Sequence, residues 1–284
     1  MPSPPRLPPA IDAQEVQDNV RKALLEDVAD GDVSAALIAE NTTAHARVIT
    51  REAGVWCGVP WVEATLAAVD DQAEIRWHVG DGDLLEPNQT LFEAKGRARS
   101  LLTAERTMLN FAQLLSGTAT VARRYADLIR HTSAHVLDTR KTVPGLRLAQ
   151  KYAVLCGGGW NHRIGLYDAY LLKENHIMAA GSITQAVAEA QRLRPGLPVE
   201  VEVETIEQME EAIAAGAETV MLDNFDLERT RQAVVQNAGR VQLEASGNVD
   251  EDSIAAIAET GVDFISSGAI TKEVRPLDLS MRFI

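Results

Sequence analysis

Between His135 and Ile177 the chain reads HVLDTRKTVPGLRLAQKYAVLCGGGWNHRIGLYDAYLLKENHI. Five basic side chains, Arg140, Lys141, His162, Arg163 and Lys173, lie at the ends of two apolar runs or in the glycine-rich loop between them. The whole chain carries 27 Lys+Arg against 41 Asp+Glu, a net charge of −14, so this local concentration of cations is not background composition. Arginine offers a planar fork to a carboxylate or phosphate, and lysine a compact point charge. The pattern implies a pocket for a small, highly anionic ligand. Arg140 and Lys141 follow the strand-like VLDT and precede a Pro-Gly turn, which is a ligand-facing location. The glycines before His162 and Arg163 permit positive φ and close backbone approach, though the stretch matches neither a phosphate-loop nor a dinucleotide fingerprint. Lys173 reads as an anion-binding cation, as the Schiff-base lysine of an aldolase-like barrel, or as half of a core-edge salt bridge.

Opposite charges follow later in the chain. The run VEVEVE at Val199 to Glu204 alternates, which predicts Val199, Val201 and Val203 against covering helices and Glu200, Glu202 and Glu204 pointing inward. A buried carboxylate without a partner costs several kcal/mol, so such a column needs cations or a metal beside it. Glu202 and Asp223, at neighbouring strand ends, suit Mg²⁺ held through water and substrate oxygens, with structural carboxylates paired to Lys173 as the alternative. Ser246-Gly247-Asn248 and Ser267-Gly268-Ala269 follow the last two strands, where small residues and backbone N–H groups build a phosphate site. His131 and His135 straddle a helix-to-strand junction and read as structural.

The elements that must position these groups show a regular alternation after Ala134. Strands are expected at 135–139, 169–173, 199–204, 219–223, 241–246 and 263–267, with helices at 146–155, 182–192, 206–215, 227–236 and 252–259 between most of them. Repeated βα units mean a parallel sheet with right-handed crossovers. Every strand ends in a group that can bind or react, and a barrel delivers all such ends to one mouth, so a barrel is preferred to an open sheet. Before this lies a mixed α+β pattern: AHARVITRE alternates, PWVEATLAAV is a helix with Pro in its first turn, and AEIRWHV alternates again. Residues 97–130 carry the longest helical pattern, expected to be interrupted at Ser116-Gly117. Its stripe of Leu101, Leu102, Met108, Leu109, Ala112 and Leu115 is expected at the junction of two domains. Arg106 sits among these positions, as a snorkelling side chain or a site residue.

Composition narrows the partners. An acidic protein with one basic pocket lacks the extended basic surface that nucleic acid or an anionic membrane requires. The start, MPSPPRLPPAI, has Pro at five of its first nine positions and reads as an extended tail, without the cationic start and apolar centre of a signal peptide. Only Cys57 and Cys156 are present, so reduced, buried thiols and a cytoplasmic protein are expected.

In order along the chain, EDVADGD, TAERTMLNFAQLLSGTAT, DTRKTVPGLR, GGGWNHRIGLYDAYLLKENH, VEVE, MLDNF, EASGNV, SSGAIT and LDLSMRF resemble the quinolinate phosphoribosyltransferase family. The similarity covers nearly everything after the Pro-rich tail. It implies an α/β fold: an N-terminal α+β open-faced sandwich joined to an incomplete α/β barrel of about seven strands. The expected division is a tail at 1–11, the sandwich at 12–115, the barrel at 116–270 and a segment at 271–284 returning to the first domain. The implied reaction joins quinolinate to 5-phosphoribosyl 1-pyrophosphate (PRPP) with Mg²⁺ and no organic cofactor, giving nicotinate mononucleotide, pyrophosphate and CO₂.

The resemblance also implies roles. Thr139, Arg140, His162, Arg163 and Lys173 would hold quinolinate, joined by Arg106 from the other subunit of a homodimer or larger assembly. Lys141, Lys173, Glu202 and Asp223 would meet PRPP, with Lys141, Glu202 and Asp223 as the catalytic groups and the last two near the metal. Ser246, Gly247, Asn248, Ser267, Gly268 and Ala269 would meet its phosphate. Some members carry Gly in place of Asn248 and His in place of Lys272. The alternatives are a paralogous barrel acting on another anion, a Schiff-base aldolase using Lys173, and a non-enzymatic anion-binding protein.

Overall fold

The computed structural model describes residues 11–284, so the Pro-rich run lies outside the described residues save for Ile11. In chain order the elements are α1 (Ala13–Asp27), a 3-10 turn (Ala35–Leu37), β1 (Thr43–Thr50), β2 (Gly54–Val55), α2 (Val59–Val69), β3 (Glu74–Trp77), β4 (Leu84–Leu85), β5 (Thr90–Arg97) and α3 (Ala98–Ile129). There follow β6 (His135–Leu137), α4 (Arg147–Cys156), β7 (Tyr170–Leu172), α5 (Glu174–Ala180), α6 (Ile183–Leu193), β8 (Val199–Val203), α7 (Ile206–Ala215), β9 (Thr219–Asp223) and α8 (Leu227–Asn237). The chain closes with β10 (Gln242–Ser246), α9 (Ile254–Ala258), β11 (Phe264–Ser266), α10 (Ala269–Lys272) and β12 (Leu279–Phe283). None of the described helices is long and apolar enough to cross a membrane.

Two compact units emerge. Among the described residues, the first takes in 11–123 together with Val143–Gly158 and Glu273–Ile284; the second comprises Arg124–Thr142 and Gly159–Lys272. In the first unit the sheet runs β12-β1-β5-β3, antiparallel throughout, with Ala46 opposite Phe283 and Ala94. Trp56, Leu91, Phe92, Leu101, Met108 and Ala112 form one core cluster, whereas Trp61, Phe111, Leu115 and Ala153 belong to a second. The stripe on α3 therefore buries itself within this unit's own cores, and Leu102, expected in it, is exposed.

The expected interruption of α3 does not occur. The helix runs unbroken through Ser116 and Gly117. A Cβ at Gly117 would stand 2.4 Å from the backbone oxygen of Arg275, while the Ser116 hydroxyl accepts from Cys57 N at 3.0 Å and donates to Cys57 O at 3.1 Å. Glycine is worth about 1 kcal/mol less than alanine in a helix interior, and here it is required by the close passage of another backbone. Gly117→Ala is expected to destabilise the protein by about 1–3 kcal/mol through overpacking, read as a lower denaturation midpoint.

In the second unit six parallel strands run in the order β6-β11-β10-β9-β8-β7, and Trp160 adds a single parallel bridge to Leu137 on the other side of β6. The covering helices start where the sequence offers a cap: Ser182 accepts from Gln185 N, Thr205 from Gln208 N and Asp226 from Arg229 N. Val199, Val201 and Val203 are buried to 1% exposure or less, which is the apolar face the alternation predicts. On the opposite side Glu200 is buried and Glu202 half-buried, but Glu204 is exposed past the strand end. Its N–H donates to Gln208 and its carbonyl accepts from Arg229, so it leaves the inward column. The strand expected at 219–223 is found with those bounds, and the others are shorter by one or two residues; 135–139 becomes His135–Leu137, where pairing stops as the chain turns into the site. His135 stacks on Trp160 with ring centroids 4.0 Å apart, a packing role, and His131 meets Glu259 at 3.1 Å.

Candidate active site

Asp138, directly after β6, is fully buried. Its carboxylate accepts from Asn161 Nδ2 at 2.6 Å and from His162 N at 2.9 Å, which pins the loop after Gly159 to the end of β6. Asp168 accepts the backbone N–H groups of Ile164 and Gly165 at 2.7 and 2.9 Å and shapes the other side of that loop. Neither aspartate was singled out in the sequence. The signal for Asp138 was a charged residue within an apolar strand run.

This loop delivers the cations. Arg163 donates from Nη1 to the Ala169 carbonyl at 3.2 Å. Burial, and then the neighbouring Arg140 cation, lower the affinity of its guanidinium for a proton, while Glu200 and Asp168 act in the other direction. Arg140 Nε is buried without a hydrogen-bond partner. Two guanidiniums held together with an unsatisfied donor make a site arranged for an anion. Lys173 at the end of β7 forms an ion pair with Glu202 at the end of β8.

Glu200 on β8, whose charge reaches Arg163, is grouped with His162 and with Glu244 on β10. His162 Nε2 is 3.0 Å from Glu200 and 3.5 Å from Glu244, with all three side chains nearly enclosed. Burial first, and then the adjacent Glu200, push the Glu244 carboxyl up to about 8. Glu244 too was passed over in the sequence, although a glutamate inside a buried parallel strand was the available signal.

The small-residue loops face the other strand ends. Lys141 N donates to Thr139 Oγ1 at 3.0 Å, and its side chain runs so close to Gly268 that a Cβ there would meet Lys141 Cδ at 2.7 Å. Ser267 donates from Oγ to the Val249 carbonyl at 3.0 Å and accepts from Ala269 N at 3.3 Å, tying the two loops together. Gly247 has φ +108°, and its absent Cβ would lie 2.2 Å from Asn224 Oδ1. Asn248 is itself left-handed at φ 48°. Asn224 N donates to Ser246 O at 2.9 Å and Asn224 Nδ2 to Asp223 Oδ2 at 2.8 Å, which sets Asp223 beside the Ser246 loop. Thr139, Arg140, Lys141, His162, Arg163, Lys173, Glu202, Asp223 and both loops thus belong to one unit and follow its strand ends or the loop beside them. Arg106 belongs to the other unit, exposed on α3.

A parallel α/β unit with a half-buried arginine pair, carboxylates at adjacent strand ends and small-residue loops at the last two is the frame of an enzyme acting on small polyanions. The family model described as quinolinate phosphoribosyl transferase, C-terminal domain, matches residues 118–282, and the corresponding N-terminal domain model matches residues 32–116. Among curated proteins, the nicotinate-nucleotide pyrophosphorylase [carboxylating] of Mycobacterium leprae is 42% identical over 275 residues, 93% of this chain and 96% of that protein. A probable enzyme of the same name from Bacillus subtilis is 39% identical over 258 residues, 90% of this chain and 89% of that protein. The solved nicotinate-nucleotide pyrophosphorylase of Francisella tularensis superposes with a TM-score of 0.95 at 50% identity, covering 97% of this chain and 98% of that one. The chain belongs to the quinolinate phosphoribosyltransferase family.

Proposed function

We propose that the protein transfers the phosphoribosyl group of PRPP to the ring nitrogen of quinolinate, with decarboxylation, giving nicotinate mononucleotide, pyrophosphate and CO₂ for NAD synthesis. The observation that carries this reading is the Arg140–Arg163 pair, with its buried, unpartnered Nε. A dicarboxylate supplies the two negative charges and the acceptor oxygens that the pair lacks. The matching family models carry quinolinate phosphoribosyl transfer in their description, and the relatives' names pair nicotinate nucleotide with pyrophosphorolysis and carboxylation, the same conversion written in reverse.

The second unit is read as an incomplete barrel of about seven strands. In support, β6 pairs with β11, so the first and last strands of the unit are neighbours, and every other neighbour is consecutive in the chain. The bridge at Trp160 adds an edge beside β6, leaving the opening between Trp160 and β7. The domain division is read as a sandwich at 12–115 and a barrel at 116–270, with 271–284 returned to the sandwich; β12 pairing with β1 favours that return.

In this frame Arg140, Arg163, Thr139 and Lys173 hold the carboxylates of quinolinate, and His162 orients them through its neighbours. Lys141 and the loops Ser246-Gly247-Asn248 and Ser267-Gly268-Ala269 hold PRPP. Glu202 and Asp223 end adjacent strands and offer hard oxygen donors, the ligand type that suits Mg²⁺ bound with water and substrate oxygens. When bound, that cation neutralises charge on the departing pyrophosphate. The carboxylates stabilise positive character at the sugar carbon as the leaving group departs, and the ring nitrogen takes its place. Once quaternised, the nitrogen stabilises the electron pair left at the adjacent carbon when CO₂ leaves, and that carbon takes up a proton. The assembly is read as a cytoplasmic homodimer or larger, with Arg106, exposed on α3, serving the partner's site.

The test is release of labelled CO₂ from carboxyl-labelled quinolinate by the purified protein, dependent on both PRPP and Mg²⁺. Folded protein that releases none overturns the reading. An aldolase would instead be trapped on Lys173 by borohydride with a sugar phosphate; the Lys173–Glu202 ion pair, which occupies the amine, argues against that outcome.

A further inference from the structure

The carboxylate–histidine cluster that adjoins Arg163 through Glu200 has a charge balance that the transfer reaction by itself does not explain. His162 Nδ1 accepts the backbone N–H of Arg163 at 2.7 Å. The ring therefore carries its hydrogen on Nε2, which donates to Glu200 Oε2 at 3.0 Å and lies 3.5 Å from Glu244 Oε2. Nitrogen that bears a hydrogen cannot ligate a cation, and a ligating histidine ordinarily donates from its other nitrogen, which here accepts. The trio is close enough for a metal ion, yet this tautomer excludes one at Nε2. Both remaining carboxyl oxygens, Glu200 Oε1 and Glu244 Oε1, are buried with no hydrogen-bond partner.

Two carboxylates side by side in that enclosure cannot both stay charged, because like charges so close push one of them to hold its proton. The side-chain exposures, 11% for Glu200 and 2% for Glu244, put the proton on Glu244. The groups facing Glu244 are Glu200 from β8, His162 from the glycine-rich loop and the Ser266 hydroxyl from β11. From β9 its register partner is Met221, which brings no charge.

We propose that Glu244 is a positioning residue for dicarboxylate recognition: as a neutral acid it adds no second negative charge to Glu200 beside it, so the Arg140–Arg163 pair that Glu200 adjoins stays net positive toward quinolinate. The inference rests on the transferase reading and adds to it a specificity device that acts through Glu200 and Arg163. When Glu244 ionises, a second negative charge is introduced beside Glu200, the carboxylate that acts on Arg163, and the dianion binds less well. Burial and Glu200 set that ionisation at about 8, so tight binding is present below this pH and lost as pH rises through it.

The experiment is a pH series of the KM for quinolinate in the CO₂ assay, for wild type and Glu244→Gln. A second buried charge at close range corresponds to on the order of tenfold in binding, so the wild-type KM is expected to rise about tenfold between pH 7 and 9. In Glu244→Gln that rise is expected to disappear, because the amide cannot ionise. An E244Q enzyme whose KM rises with pH as the wild type's does overturns the proposal. So does loss of activity in E244Q with retention in Glu244→Asp, since a charged carboxylate would then be required. Should E244Q not fold, infrared difference spectroscopy of the wild type reads the same proton: a buried carboxylic-acid carbonyl band present at pH 7 and lost above pH 8 supports the proposal, and its absence at pH 7 overturns it. Complete lack of CO₂ release by folded wild type would instead sink the transferase reading, a distinguishable failure.

Discussion

Arg140→Ala is expected to lower kcat/KM for quinolinate by about two to three orders of magnitude while leaving the fold at least as stable as before. Removing one partner of a buried, hydrogen-bonded charge pair costs about 2–5 kcal/mol, and each 1.4 kcal/mol is roughly tenfold. In the proposed role the partner is the substrate carboxylate. In the free protein Arg140 repels Arg163 and leaves its Nε unsatisfied, so its removal relieves strain instead of breaking a contact. Activity and stability are therefore expected to move in opposite directions, which separates a binding role from a structural one. Arg140→Lys should not restore activity, because the ammonium cannot reproduce the planar fork. Labelled CO₂ release and a thermal melt on the same samples check both halves; a variant that loses activity only because it melts early would count against the assignment.

Asp138→Ala is expected to lower both stability and activity. Truncation of the fully buried Asp138 takes their acceptor from Asn161 Nδ2 and His162 N, two part-buried donors. Each stranded donor costs about 1–3 kcal/mol, or on the order of 2–5 kcal/mol together. For a chain of this size roughly 2–4 °C accompanies each kcal/mol, so a fall in Tm of about 5–15 °C follows from that range. The loop that carries His162 and Arg163 loses its anchor to β6, so kcat/KM for quinolinate falls more steeply than stability alone dictates. Asp138→Asn keeps the shape but exchanges an acceptor oxygen for a donor, and an intermediate result is expected. Calorimetry together with the CO₂ assay below the melting transition checks both effects.

Much of the frame was legible in the residues. The alternation in Val199 to Glu204 placed the valines against helices, since apolar side chains at every second position can serve only one face of a strand. The helices expected at 182–192, 206–215 and 227–236 came from periodicity, and the structure starts them at Ser182, Thr205 and Asp226, whose short oxygens satisfy N–H groups that a helix leaves open. The short helix α5 after Lys173 was not foreseen, since seven residues are too few to show a helical period. Gly117 misled for a related reason: local propensity marks a weak point, and only the passage of Arg275 explains why glycine stands in an unbroken helix.

What the chain determined by itself was the inventory: cations after the first strands, carboxylates and small-residue loops after the later ones, and the periodicities that set them at strand ends. What the tertiary structure decided was which of them meet, and in what state of charge. His162 reads as one more cation beside Arg163, yet the folded loop turns its Nε2 onto Glu200 and Glu244 and commits Nδ1 to a backbone N–H. Charge state depends on distance and burial, and these are created by contacts between residues far apart in the chain, such as Glu200 and Glu244 on strands that sequence alone cannot bring together.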